Sequence, residues 1–298
     1  MSALSKLHRG TSLFAWLLIL PAALYMCLIV AWPLLETVRL SFTNSALGVE
    51  DYVGAENYAK LAGSGRFHDI VLRTFYWMAL SVCLKIVLGL AGASLLNSRL
   101  KGGGIYRVLV MPPWVVPIAI GCIGWLWLYQ GHFGLIAGVL QRVGILDGPF
   151  EFLAYRDSAF YCAVITDVWI GTPFVTIYFL AVIQAVPREL HEAAYLDGAS
   201  RWYRFRRVTI PYIMPSIAAM SLLSVIWTFN SFEIIWILTE GGPRGGTTTL
   251  IIDTYKRAIA NFKFGQGAAR ATIIVLLLTA FSLLYLWAMA KINRRYAH

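Results

Sequence analysis

The sequence predicts an all-α membrane protein with six transmembrane helices, and three observations predict it. Its 298 residues are 59% hydrophobic and 13% charged, about half the charged fraction of a typical globular chain, and mean hydropathy is +0.67. Six apolar stretches reach the roughly 20 residues that a helix rising about 1.5 Å per residue needs to cross about 30 Å of hydrocarbon. Basic residues gather in alternate connecting segments. The length alone would suit two soluble domains, but too few charges remain to cover them, and disorder or a purely nucleic-acid-binding role is excluded on the same ground.

The stretches run over about 14–35, 74–97, 108–129, 159–185, 211–238 and 271–290. The first follows Lys6 and Arg9, as a signal peptide's core would. Its apolar run of about 22 residues exceeds an h-region, and no small-x-small cleavage site follows, so it reads as an anchor. The third ends in Trp125, Trp127 and Tyr129, read as interfacial aromatics. The sixth is bracketed by Arg270 and Lys291. Six spans put both termini on one side. The segments 1–13, 98–107, 186–210 and 291–298 hold 13 Lys/Arg in 56 residues, whereas 36–73, 130–158 and 239–270 hold 11 in 99; acidic residues number three against ten. The first set is therefore expected in the cytoplasm, and the formal charge of +10 is a topological signal, with no nucleic-acid partner implied. Residues 1–13 read as a cytoplasmic N-terminus and 14–298 as a single transmembrane domain. Cys27, Cys83, Cys122 and Cys162 sit in apolar runs without paired spacing and read as small core residues.

The longest segment on the cytoplasmic side, 186–210, is patterned as a helix-turn-helix. Pro187 suits a helix start, Gly198 a helix end, and a second short helix is expected up to Pro211. Glu192-Ala193-Ala194 sets two minimal side chains together, where another backbone can approach closely. Trp202 and Phe205 share a face, with Arg201, Arg204 and Arg207 on the next. Physics alone leaves two readings: a protein-docking hook, or an amphipathic segment resting on anionic headgroups.

The run Glu192-Ala193-Ala194-Tyr195-Leu196-Asp197-Gly198-Ala199, followed after a fixed gap by Ile210-Pro211 and Pro215, resembles the EAA motif of permease subunits of binding-protein-dependent ABC importers. Three further segments resemble the maltose-permease-like first subunit of the sugar-transporting branch: Arg107–Pro113 (RVLVMPP), Trp169–Glu192 (WIGTPFVTIYFLAVIQAVPRELHE) and Leu238–Pro243 (LTEGGP). The resemblance implies a type I importer permease fold in the bacterial inner membrane. It also implies a second, similar permease, two ATP-binding subunits and an extracytoplasmic sugar-binding protein that the GGPRGGTTT loop (241–249) would contact; composition alone makes that loop a turn. Glu192, Ala193, Ala194, Asp197 and Gly198 would then couple the chain to the ATPase.

The chain carries no nucleotide cradle of its own. There is no G-x-x-x-x-G-K-[ST], and Lys101-Gly102-Gly103-Gly104 lacks the Lys-Ser/Thr that would complete one. No H-E-x-x-H, G-x-S-x-G or paired His/Cys spacing points to a metal or a hydrolase. The expectation is a transport subunit, not an enzyme, with no cofactor in this chain and with ATP and its magnesium held by the partner subunits.

Three charged residues fall inside spans, Lys85, Asp167 and Glu233, each costing about 2.5 to 3.5 kcal/mol at a helix centre. A Lys85–Asp167 pair is either a staple between the second and fourth spans or part of a polar path; an ion- or proton-coupled carrier is the competing function class. On the fifth span Ser224, Trp227, Thr228 and Ser231 share a face at i, i+3, i+4 and i+7, and on the fourth Asp167, Gly171, Phe174 and Tyr178 form a stripe. Hydroxyls beside aromatic faces suit a sugar, although such a stripe also serves helix packing. One continuous fifth helix would turn Glu233 about half a turn from Ser224, so Glu233 and Asn230 are weaker path candidates.

Overall fold

The computed structural model describes residues 16–46, 50–98 and 102–296; the segment 1–13 and Lys101 lie outside them. Among the described residues five helices are long and apolar enough to cross a bilayer: Trp16–Ser41, Gly65–Leu96, Arg156–Gln184, Arg201–Phe229 and Phe264–Met289, here the first, second, fourth, fifth and sixth spans. The third is a broken pair, Gly103–Val115 and Ile118–Leu128, bent by 91°. Among the described residues there is no strand, only isolated antiparallel bridges at Thr43–Tyr52 and Ala46–Lys263.

The expected third span, a single helix over 108–129, is thus corrected to two pieces. Pro117 has no N–H to donate and pushes Val116 out of the helical region, to φ −65° and ψ 134°. The expected fifth span is corrected at both ends. It starts at Arg201 and stops at Phe229, and Glu233–Thr239 is a separate helix. The Thr228 carbonyl, which a continuing helix would offer to residue 232, instead accepts the Trp77 indole N–H at 2.9 Å and the Ser231 N–H at 3.2 Å.

The chain divides into two compact units. One comprises the residues up to Ser64 with Thr254–Val275, the other Gly65–Asp253 with the residues from Leu276 onward. In the first unit, Trp16 to Leu35 are all exposed, so this stretch packs on nothing within its own unit. Its end is tied down: Asn57 donates to the carbonyls of Ser41 and Thr43 at 2.9 and 2.8 Å. Arg39 pairs with Glu36 at 2.6 Å and also with Glu50. At Gly265 a Cβ would come within 1.9 Å of the Thr43 carbonyl oxygen, so only glycine lets these backbones cross.

In the second unit the second and fourth spans pack along their length. A Cβ on Gly89 would lie 2.5 Å from Val175 Cγ1, and one on Gly92 3.1 Å from Thr176 Cγ2; small residues here let the two backbones close up. Phe179, Ala93, Met220 and Ile213 fill one apolar core of this unit, and Trp77, Phe160, Val164 and Ile235 another. Tyr129 is corrected from an interfacial aromatic to a core residue. It is 2% exposed and its hydroxyl donates to the Cys162 carbonyl at 2.9 Å, whereas Trp127 is 73% exposed.

Candidate functional site

Between the second, fourth and fifth spans and the Glu233–Thr239 helix lies a cavity of about 490 Å³. One wall is charged. Lys85 Nζ stands 2.7 Å from Asp167 Oδ2, with both side chains under a tenth exposed, and donates to Thr228 Oγ1 at 3.0 Å. Gly171 makes room for this arrangement. A Cβ there would lie 2.8 Å from Lys85 Cε and 2.9 Å from Cδ, so a side chain there would require the lysine stem to shift.

The lining is aromatic as well. Phe174 stacks on Trp114 with ring centroids 5.2 Å apart and meets Trp227 edge-on at 5.4 Å. Ser224, Ser231, Asn230 and Glu233 supply polar groups along the rest of the lining. The cavity offers hydrogen-bonding groups beside flat apolar rings, which suits a ligand with polar edges and C–H faces.

Of the residues singled out from the sequence, Asp167, Gly171, Phe174, Ser224, Trp227, Ser231, Asn230 and Glu233 all line this cavity. Two placements differ from the helical-wheel reading. Thr228 is buried, 1% exposed, and its hydroxyl is taken by Lys85. Glu233 joins Ser224 in the same cavity because the helix breaks between them. Tyr178 donates to the Ser216 carbonyl at 3.2 Å and packs on the core. Trp114 is a lining residue that was not singled out for the path, and Lys85, weighed with Asp167 as a staple or as part of the path, lines the cavity too; the Pro112-Pro113-Trp114 run, where prolines interrupt a helix, would have signalled the first.

At the other end of the fifth span, Pro187 caps a helix over Arg188–Leu196. The helix closes with Ala199 N–H donating to the Ala194 carbonyl and Gly198 N–H to that of Tyr195, both at 3.0 Å. Gly198 has φ +78°, the left-handed conformation that favours glycine at a helix end. Ser200 then caps the next helix by accepting from Tyr203 N–H at 3.2 Å. That helix is not the short separate arm expected up to Pro211. Proline has no donor to lose in a helix's first turn, and here a π-turn over Phe205–Thr209 leads straight into Ile210–Phe229. Glu192 and Ala193 are exposed and Ala194 half-buried. Glu192 lines a second recess of about 430 Å³ with His191, Tyr195, Leu196 and Arg204, in which Arg204 lies over the Tyr195 ring, 5.3 Å from its centroid. Trp202 stacks on Phe205 at 5.8 Å.

The 241–249 loop is stitched to itself and to the second span. Thr247 Oγ1 donates to the Gly242 carbonyl and Thr248 Oγ1 to that of Gly241, both at 2.8 Å, and Arg73 donates to the Gly245 carbonyl at 2.8 Å. Its threonines are buried and Arg244 is its exposed side chain.

A family described as the binding-protein-dependent transport system inner membrane component matches residues 59–298. The chain belongs to that family. The permease is 34% identical over 284 residues to the trehalose/maltose transport system permease protein MalF of Thermococcus litoralis, covering 95% of each chain. It is 32% identical over 294 residues to the diacetylchitobiose uptake system permease protein DasB of Streptomyces coelicolor, covering 95% of this chain and 88% of that one. In fold it resembles a chain of a bacterial ABC transporter that imports the acidic polysaccharide alginate, with a TM-score of 0.84, 20% identity, and coverage of 98% and 99%. Membership sets the permease among binding-protein-dependent transport systems and apart from the ion-coupled carriers.

Proposed function

We propose that the permease forms half of the translocation path of an ATP-driven carbohydrate importer, with its termini in the cytoplasm of a bacterial cell and a second, similar permease completing the path. Two ATP-binding subunits hold the nucleotide and its magnesium and grip the hook formed by Glu192, Ala193, Ala194, Asp197 and Gly198. An extracytoplasmic sugar-binding protein delivers the cargo to the side where Arg244 is exposed. Two relatives named for trehalose/maltose and diacetylchitobiose transport support a saccharide as cargo.

The observation that carries this reading is the continuity of Arg201–Phe229. One end of this helix belongs to the hook, and the other brings Ser224 and Trp227 into the cavity. From Arg204 to Trp227 the helix spans about 35 Å at about 1.5 Å per residue. A load on the hook is therefore passed to one cavity wall along one continuous helical rod, with no chemical group in between. Asp167 and the serine hydroxyls bind sugar hydroxyls, Phe174 and Trp227 stack on C–H faces, and closure at the ATPase tilts the rod to release the cargo. The test is uptake of radiolabelled maltose and diacetylchitobiose, alongside a panel of other saccharides, into vesicles holding the assembled importer and its binding protein. ATP-dependent accumulation that vanadate stops and an uncoupler spares is expected. Accumulation that survives vanadate but collapses with an uncoupler would refute the proposal.

A further inference from the structure

The cavity's charge is uneven in a way that selects among saccharides. Its lining holds three ionisable side chains, Lys85, Asp167 and Glu233. Lys85 is spent: it lies against Asp167 at 2.7 Å and donates to Thr228 Oγ1 at 3.0 Å, in the room that the absence of a side chain at Gly171 leaves it. That pair is internally neutral. Glu233 has no cation within ion-pairing distance among the described residues, and it is more exposed than either member of the pair. It starts the Glu233–Thr239 helix beyond the break after Phe229, a position that sets its carboxylate on the same cavity as Trp114, Phe174 and Trp227. The lining thus carries one uncompensated negative charge beside three aromatic faces. Such a surface attracts cations and neutral C–H faces and repels anions.

We infer that Glu233 is a charge filter, making this a site for uncharged or amino-bearing saccharides and closing it to uronates and other acidic sugars. The inference rests on the carbohydrate reading above and narrows it. The fold likeness to an importer of an acidic polysaccharide leaves the cargo's charge open, because fold does not set it.

The test uses the intact importer complex in lipid nanodiscs without its binding protein, so that the permease's own preference is read. Quenching of tryptophan fluorescence is followed on titration with maltose, with the glucosamine disaccharide and with a mannuronate disaccharide; Trp227→Phe identifies the part of the signal that arises in the cavity. Binding of the amino disaccharide should be roughly tenfold or more tighter than that of the uronate, the size expected for one unit charge within about 10 Å at an effective dielectric of about 20. Glu233→Gln should bring that ratio to within about threefold, and Glu233→Asp, which restores the charge, should keep most of it. Equal binding of the amino and uronate disaccharides to the wild-type complex, or a ratio that Glu233→Gln leaves intact, would overturn the filter while sparing the carbohydrate reading. If no saccharide of any charge quenches the cavity signal, the carbohydrate reading falls and the filter with it.

Discussion

Replacing Lys85 by methionine removes the cation from a buried ion pair while nearly keeping its volume. The two groups are 2.7 Å apart and their side chains are 8% and 6% exposed, so removing the cation leaves the Asp167 carboxylate largely desolvated. Leaving one charge of a buried pair uncompensated costs about 3 to 5 kcal/mol, and the Thr228 hydroxyl also loses its donor. For a domain of this size that corresponds to a fall in melting temperature on the order of 10 °C. The assay is thermal unfolding of the purified complex in detergent, with Lys85→Met, Asp167→Asn and the double variant measured together. The double variant should recover a large part of the loss, because it removes the stranded charge with its partner. A single Lys85→Met variant melting within about 2 °C of wild type, or a double variant no more stable than that single, would refute the view that the pair is buried and mutually compensated.

Three further outcomes follow from the same geometry. Gly171→Ala should weaken saccharide binding and cost roughly 1 to 3 kcal/mol, because its Cβ displaces the Lys85 stem; the stability cost should largely vanish in a Lys85→Ala background, which thermal melting checks. Gly89→Ile should separate the second and fourth spans, whose backbones approach too closely for a side chain there, and lower the amount of folded complex recovered by size-exclusion chromatography. Gly198→Asp, at a residue with φ +78°, should abolish ATP-coupled uptake while the chain remains inserted in membranes; wild-type transport rates in that variant would contradict the coupling role.

The sequence exposes those features that depend on local pattern. Apolar run length gives the spans because the hydrocarbon thickness is constant, and Pro187 and Gly198 mark the hook because their backbone preferences act within one turn. The cavity stripe Ser224, Trp227 and Ser231 is visible for the same reason. What escapes notice depends on distant partners. The fifth span stops at Phe229 with the Thr228 carbonyl drawn off by the Trp77 indole, 151 residues away in sequence, and a helical wheel cannot register that. Glu233 is therefore placed on the wrong face by arithmetic that assumes an unbroken helix. The claim of Lys85 on Thr228 is equally non-local. The bend in the third span is a different case: Pro112, Pro113 and Pro117 are in plain view, and a single apolar span overlooks what the missing N–H at Pro117 does to the helix. Tyr129 looks interfacial because it ends an apolar run, but the Cys162 carbonyl buries it.

The most direct test of the central claim, that a nucleotide-driven neighbour moves this permease by its hook, is photo-cross-linking from an unnatural residue at Ala193 in the assembled complex, with and without ATP. The account predicts a cross-link to the ATP-binding subunit whose yield changes between the nucleotide-free and vanadate-trapped states. Cross-links to lipid alone in both states would contradict it.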